Sequence, residues 1–166
     1  FQPDPTSGNL PGYQGSLGAK LDGAGKAPIQ VIASGAYGAT RLPDDSGALQ
    51  DHTMWLGSLS LDLPITDNIG LKGEGFMGEN SAMLVMLSSA EVHSMGGWGS
   101  LEVAPVKDVQ VHAGYGVEIV DEDDLADAEG DVLLQNSCIF GNVFYKVAKK
   151  TSVAAEVSRW ETEYQT

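Results

Sequence analysis

The sequence predicts an all-β chain, an antiparallel up-and-down meander of about eight strands. Three observations carry that expectation. Apolar residues recur at every second position far more often than at helical spacing. The connections between the alternating segments are short and long in turn. The aromatic residues gather at the ends of segments that meet the long connections. Together they place the meander in a transmembrane β-barrel or a segment of one, because strands of about ten residues are the length a tilted strand needs to cross a bilayer.

The segments follow in order. Residues 14–23 set Leu17, Ala19 and Leu21 against Ser16, Gly18, Lys20 and Asp22. Residues 29–40 set Ile29, Val31, Ala33 and Tyr37 against Gln30, Ile32, Ser34 and Ala36. In 54–63, Trp55, Gly57, Leu59, Leu61 and Leu63 oppose Met54, Leu56, Ser58, Ser60 and Asp62. In 69–79, Ile69, Leu71, Gly73, Gly75 and Met77 oppose Gly70, Lys72, Glu74 and Phe76. Segment 96–105 sets Gly97, Gly99, Leu101 and Val103 against Trp98, Ser100, Glu102 and Ala104. Segment 109–119 alternates most regularly, with Val109, Val111, Ala113, Tyr115, Val117 and Ile119 opposite Gln110, His112, Gly114, Gly116 and Glu118. Segments 138–146 and 152–164 are noisier; in the last, Glu156 opposes Val153, Ala155 and Val157. The apolar stretch 81–92 reads as a strand extension, an inward-packed loop or one helical turn.

Connections 24–28, 64–68, 106–108 and 147–151 are short, with Pro28, Pro64, Pro105 and Asp67-Asn68 as turn chemistry. Connections 41–53, 80–95 and 120–137 are long. Tight turns on one rim and longer loops on the other are the asymmetry of an outer-membrane barrel. Tyr13, Tyr37, Trp55, Trp98 and Tyr115, with Phe76, Phe140, Trp160 and Tyr164, fall at the long-loop rim, as an interfacial aromatic girdle does.

Composition narrows the function classes. Of 166 residues, nine are Lys or Arg and 23 Asp or Glu, a net charge of −14, which argues against nucleic acid or an anionic membrane surface as partner. The long connections, with Glu79, hold 12 of the 23 acids, seven of them within 121–131. Lys26, Lys107, Lys149 and Lys150 sit at the short turns, so the chain is polarised end to end. The single cysteine, Cys138, excludes an intrachain disulfide and a Cys-based zinc site, and reads as a small apolar side chain. No helical membrane span, metal or other cofactor is expected. The N-terminus lacks an initiator Met and a signal-peptide core, so the chain reads as a processed or excised piece.

Several stretches resemble Gram-negative porin-type outer-membrane barrels: Trp55-Leu-Gly-Ser-Leu-Ser-Leu-Asp-Leu-Pro-Ile, Gly70-Leu-Lys-Gly-Glu-Gly-Phe-Met-Gly and Gly96-Gly-Trp-Gly-Ser-Leu-Glu-Val. Gly114-Tyr-Gly, Asn142-Val-Phe-Tyr-Lys and Ala155-Glu-Val-Ser-Arg-Trp-Glu-Thr-Glu-Tyr complete the set, which covers most of 13–164. The resemblance implies a channel for passive passage of small hydrophilic solutes or ions, embedded in outer-membrane lipid and assembled as a homotrimer of barrels of about 16 strands. Such porins end on an aromatic residue, whereas this chain ends Tyr164-Gln165-Thr166. The expectation is therefore the C-terminal half of a longer barrel, lacking its last strand or two.

The polar face offers Lys20, Lys72, Glu74, Glu102, Gln110, His112, Glu118 and Glu156 as pore-lining residues. With lipid on the apolar face they line a water-filled lumen and favour cations. The alternative is a secreted or periplasmic binding module whose apolar face is a closed core and whose polar face is solvated. The run from Asp121 to Asp131 lacks the spacing of a calcium loop and reads as a solvated acidic loop. No enzyme is expected: His52, His93 and His112 accompany no nucleophile elbow and no metalloprotease helix. The glycine-rich stretches 73–78 and 96–99 open no helix, and read as small residues on a curved wall rather than phosphate cradles.

Overall fold

The computed structural model describes residues 12–22, 27–43, 49–79, 92–125 and 132–165. Its strands are β1 (Tyr13–Leu21), β2 (Ile29–Pro43), β3 (Leu49–Pro64), β4 (Ile69–Glu79), β5 (His93–Val106), β6 (Val109–Val120), β7 (Val132–Ala148) and β8 (Thr151–Gln165). They form one antiparallel sheet in chain order. A single 3-10 turn, Glu122–Leu125, is the helical element among the described residues.

The all-β meander expected from periodicity is present, with one systematic difference. Strands run further towards the long connections than the alternation suggested. β2 and β3 take in most of the span read as a loop over 41–53, pairing Thr40 with His52 and Arg41 with Asp51. β5 begins at His93 and β7 at Val132, inside the expected connections 80–95 and 120–137. These extensions are polar or irregular because they stand beyond the apolar band, where period-two patterning is not required. The stretch 81–92 lies outside the described residues except for Val92.

The pairing defines the geometry. One unbroken row, Lys20, Gln30, Asp62, Lys72, Ser100, Gly114, Phe140 and Ser158, crosses all eight strands. It lies one residue from the short-turn end on β1 and β2, but eight and seven residues from it on β7 and β8. At about 3.3 Å per residue and 4.8 Å between strands, this slip of about one residue per strand brings the four short turns level when the strands incline by roughly 35°.

Because paired residues share a face, the even-numbered positions down to Ser158 lie on one side and the odd-numbered on the other. On β4, β5 and β6 the large odd side chains are exposed: Leu71, Met77, Met95, Leu101, Val111, Tyr115 and Ile119 range from 36 to 58 %. On the even side Ser94, Ser100 and Glu118 are buried, and Lys72, Glu74, Glu102 and His112 are half-buried. The sheet therefore curls around its polar face. A water-soluble sheet does the reverse. Among the described residues only Val92, Val120 and Leu125 are buried hydrophobics, a small cluster at the long-connection end with Leu133 and Leu134 against it.

Glycines make the curl possible on the inner side. The Phe76 ring lies over Gly96, where an added Cβ would stand 2.7 Å from Cζ, and the Phe140 ring lies over Gly114, whose Cβ would also stand 2.7 Å from the Gly99 carbonyl oxygen. Gly114→Val should lower unfolding free energy in detergent by about 1–3 kcal/mol, as overpacking does. Gly15→Ala, with nothing within 4 Å of the new Cβ, should change it by less than about 0.5 kcal/mol. Equal denaturation midpoints for the two variants would show that the inner face is not packed as described.

Candidate functional site

All eight residues expected to line a pore stand on the even, concave face: Lys20, Lys72, Glu74, Glu102, Gln110, His112, Glu118 and Glu156. Asp62 and Lys146 join them by the same register. The structure links several into a belt across the sheet. Lys72 Nζ lies 3.0 Å from Glu102 Oε1 and 3.9 Å from Asp62 Oδ2. His112 Nδ1 approaches Glu102 Oε1 at 3.4 Å, and its ring sits 5.2 Å from that of Phe144. Asn142 Nδ2 donates to Glu156 Oε2 at 3.2 Å. Two carboxylates thus share one lysine at the centre of the belt. Each partly exposed pair contributes about 1 kcal/mol or less, so the belt arranges charge more than it stabilises the fold.

Eight aromatic residues share one level, while Phe144 and Tyr145 lie nearer the short turn and Tyr164 above that level. Counted from the short-turn end of its own strand, each of Tyr13, Tyr37, Trp55, Phe76, Trp98, Tyr115, Phe140 and Trp160 stands six to nine residues up. That is about 16–24 Å at the inclination above, comparable to the apolar band of an outer-membrane barrel. The level is shared; the face is not. Tyr13, Tyr37, Trp55 and Tyr115 are odd and face outward. Trp98, expected beside them in the girdle, pairs with Glu74 and Gly116 and belongs to the inner face, with Phe76, Phe140 and Trp160. Height and face are independent properties of a strand residue, and only parity decides the second.

Below the aromatic level, no odd-face side chain on any strand is charged, while the even face carries Lys20, Asp62, Lys72, Glu74, Glu102, Lys146 and Glu156, with Glu118 at the level itself. Arg159 stands at the aromatic level on β8, and Glu161 and Glu163 above it.

Above the aromatic level the outer face changes character. Trp55 Nε1 donates to Glu79 Oε2 at 2.9 Å, and the same oxygen lies 3.5 Å from His93 Nε2. Asp124 accepts the His93 backbone N–H at 2.7 Å and pairs with its ring Nδ1 at 2.8 Å, while the Asp121 N–H donates to the His93 carbonyl at 2.9 Å. Three hydrogen bonds to one residue thus dock the 3-10 turn onto the start of β5. Ser94, next in sequence, faces the other way, so His93 and Ser94 form no catalytic pair. Residues 126–131 of the acidic run lie outside the described residues. Among the described residues, no three His, Cys, Asp or Glu side chains are grouped to hold a metal.

His93 stands thirteen residues from the short-turn end of β5, clear of the apolar band. The hydrogen bond that the His93 ring donates to Asp124 raises its pKa above the usual histidine value; burial opposes the shift, and the charges of Asp124, Glu79 and Asp121 add to it. The same contacts, the backbone N–H first and then the ring, hold the Asp124 carboxyl below its usual value.

No family model, curated protein or solved structure matches the chain. The fold is that of an open, curved meander with a polar concave face and an uncharged convex one.

The His93–Asp124 pair is complete only while His93 is protonated and Asp124 ionised. Its contribution is therefore lost as pH rises through the elevated His93 pKa, and on the acid side as pH falls through the depressed Asp124 pKa. In an NMR titration His93 should titrate above the free-histidine value, and Asp124→Asn should move its midpoint down towards that value. An unmoved midpoint would dissociate the shift from the docked turn.

Proposed function

We propose that this chain forms part of the wall of a porin-like outer-membrane channel, passing small hydrophilic solutes and ions down their gradients with a preference for cations. One observation carries the proposal: the exposed convex face is apolar and uncharged over the whole height from the short turns to the aromatic level, while every strand charge in that span is turned into the concavity. Lipid accepts such a face and water does not. The outward Tyr13, Tyr37, Trp55 and Tyr115 then sit where amphipathic rings are favoured, at the interface with the headgroups.

Cation preference follows from charge. The inner face below and at the aromatic level holds five acids, Asp62, Glu74, Glu102, Glu118 and Glu156, against Lys20, Lys72 and Lys146. Acids also crowd the far rim, where their field concentrates cations within a Debye length of about 10 Å at 0.1 M salt. Among the described residues β1 and β8 do not pair with each other. Eight strands closed at this inclination would give a radius of about 8 Å, filled by side chains, so an open lumen calls for further strands in the wall.

The binding-module alternative requires the apolar face to be covered. Its discriminator is partitioning. Purified with the further strands that complete its wall, the protein should require detergent and, in a planar bilayer under a KCl gradient, show a cation-selective reversal potential. Glu74→Gln with Glu118→Gln should reduce that selectivity, as should raised salt. A protein that stays in buffer without detergent, or whose reversal potential is anion-selective, overturns the proposal.

Orientation is tested separately. On intact cells, in a Cys138→Ser background, an impermeant thiol reagent should label Glu122→Cys, which is exposed beyond the aromatic level, and spare Lys107→Cys in the β5–β6 turn. The reverse pattern would invert the assigned topology.

A further inference from the structure

Most aromatic rings on the inner face are accounted for by packing. Phe76 and Phe140 lie over glycines of the neighbouring strand, a pairing that protects the backbone of a curved sheet. Trp98 and Trp160 are different. They belong to one row, Trp98, Gly116, Cys138, Trp160, three strand steps apart, or about 14 Å at the backbone. Between them the row holds only small side chains. Trp98 is 40 % and Trp160 65 % exposed, and both line a groove of about 400 Å³ on the concave face. That volume is within the range of small-ligand sites.

The groove carries a carboxylate on each side of the tryptophan row. Glu118 stands two residues above that row on β6, and Glu156 four residues below it on β8. Glu118 is only 6 % exposed, and its Oε1 has no hydrogen-bond partner among the described residues. Its carboxylate also accepts a hydrogen bond from Ser94. A carboxylate oxygen held almost out of solvent without a donor is costly unless a cation or donor meets it there. Glu156 is oriented by Asn142. No lysine or arginine lines the groove, although Lys72 is tied up nearby by Glu102 and Asp62.

We infer that this groove is a binding site for a small organic ammonium cation, with Trp98 and Trp160 flanking its apolar body and Glu118 facing its charge. Aromatic faces attract such cations through their quadrupole, and the attraction strengthens where water is displaced. A bare alkali ion has no body for the tryptophans to hold; a sugar has no charge for the Glu118 carboxylate. The site rests on the proposal that the concave face is open to water, and it adds to that proposal a solute class retained during passage.

The test uses the full chain refolded in detergent, with tryptophan fluorescence as readout and choline as probe. Choline should give a saturable change at constant ionic strength, while 3,3-dimethyl-1-butanol, its uncharged isostere, and KCl should not. Glu118→Gln should weaken the midpoint about tenfold. Trp160→Ala, at an exposed position that folding tolerates, should abolish the saturable change. Equal responses to choline and the isostere, or an unchanged midpoint in both variants, would overturn the site. The two proposals separate cleanly: conductance without a choline response removes the site alone, and a choline response without conductance removes the channel alone.

Discussion

A backbone amide or carbonyl withdrawn from water needs a partner within the protein. Strands meet that demand only side by side, and the rest of the structure depends on it. Pairing fixes the row, the row fixes which residues share a face, and a slip of one residue on any strand would turn its whole apolar set into the concavity. The register from Lys20 to Ser158 is thus the feature that keeps charged and uncharged residues apart. Tilt comes from the same ladder, since the stepwise displacement of the turns along it inclines the strands.

Parity was legible in the sequence because it is a strictly local property. Lys72, Glu102, His112 and Glu118 could be assigned to one side from the alternation of β4 to β6 alone, and the structure places them there. Partners were not legible. That Lys72 reaches both Asp62 and Glu102 depends on the register of three strands, and no single segment encodes it. Asp62 stood on the polar side of its segment but attracted no attention for that reason.

Two discrepancies have distinct physical origins. Trp98 shares a height with Trp55, and height suggested a common girdle; its even number, which outranks height, puts it inside. β2, β3 and β7 extend past the alternating segments because alternation fades beyond the apolar band. Arg41, Asp51 and His52 read as loop residues, yet their backbones are paired. On β7 the rings of Phe140 and Phe144 stand on the polar face, which makes segment 138–146 noisy. A two-residue period detects the apolar band rather than the strand.

The two margins of the sheet differ in length, nine residues on β1 and fifteen on β8. Along β8 the outward positions near and above the aromatic level are Arg159, Glu161 and Glu163, charges that discourage a foreign strand from docking. Nearer the turn the same margin presents Val153, Ala155 and Val157 beside unpaired backbone groups, with no charge or proline between them on that face. Self-adhesion is thus concentrated in the lower half of one strand. A charge placed at 155 would act there as a gatekeeper against margin-to-margin stacking.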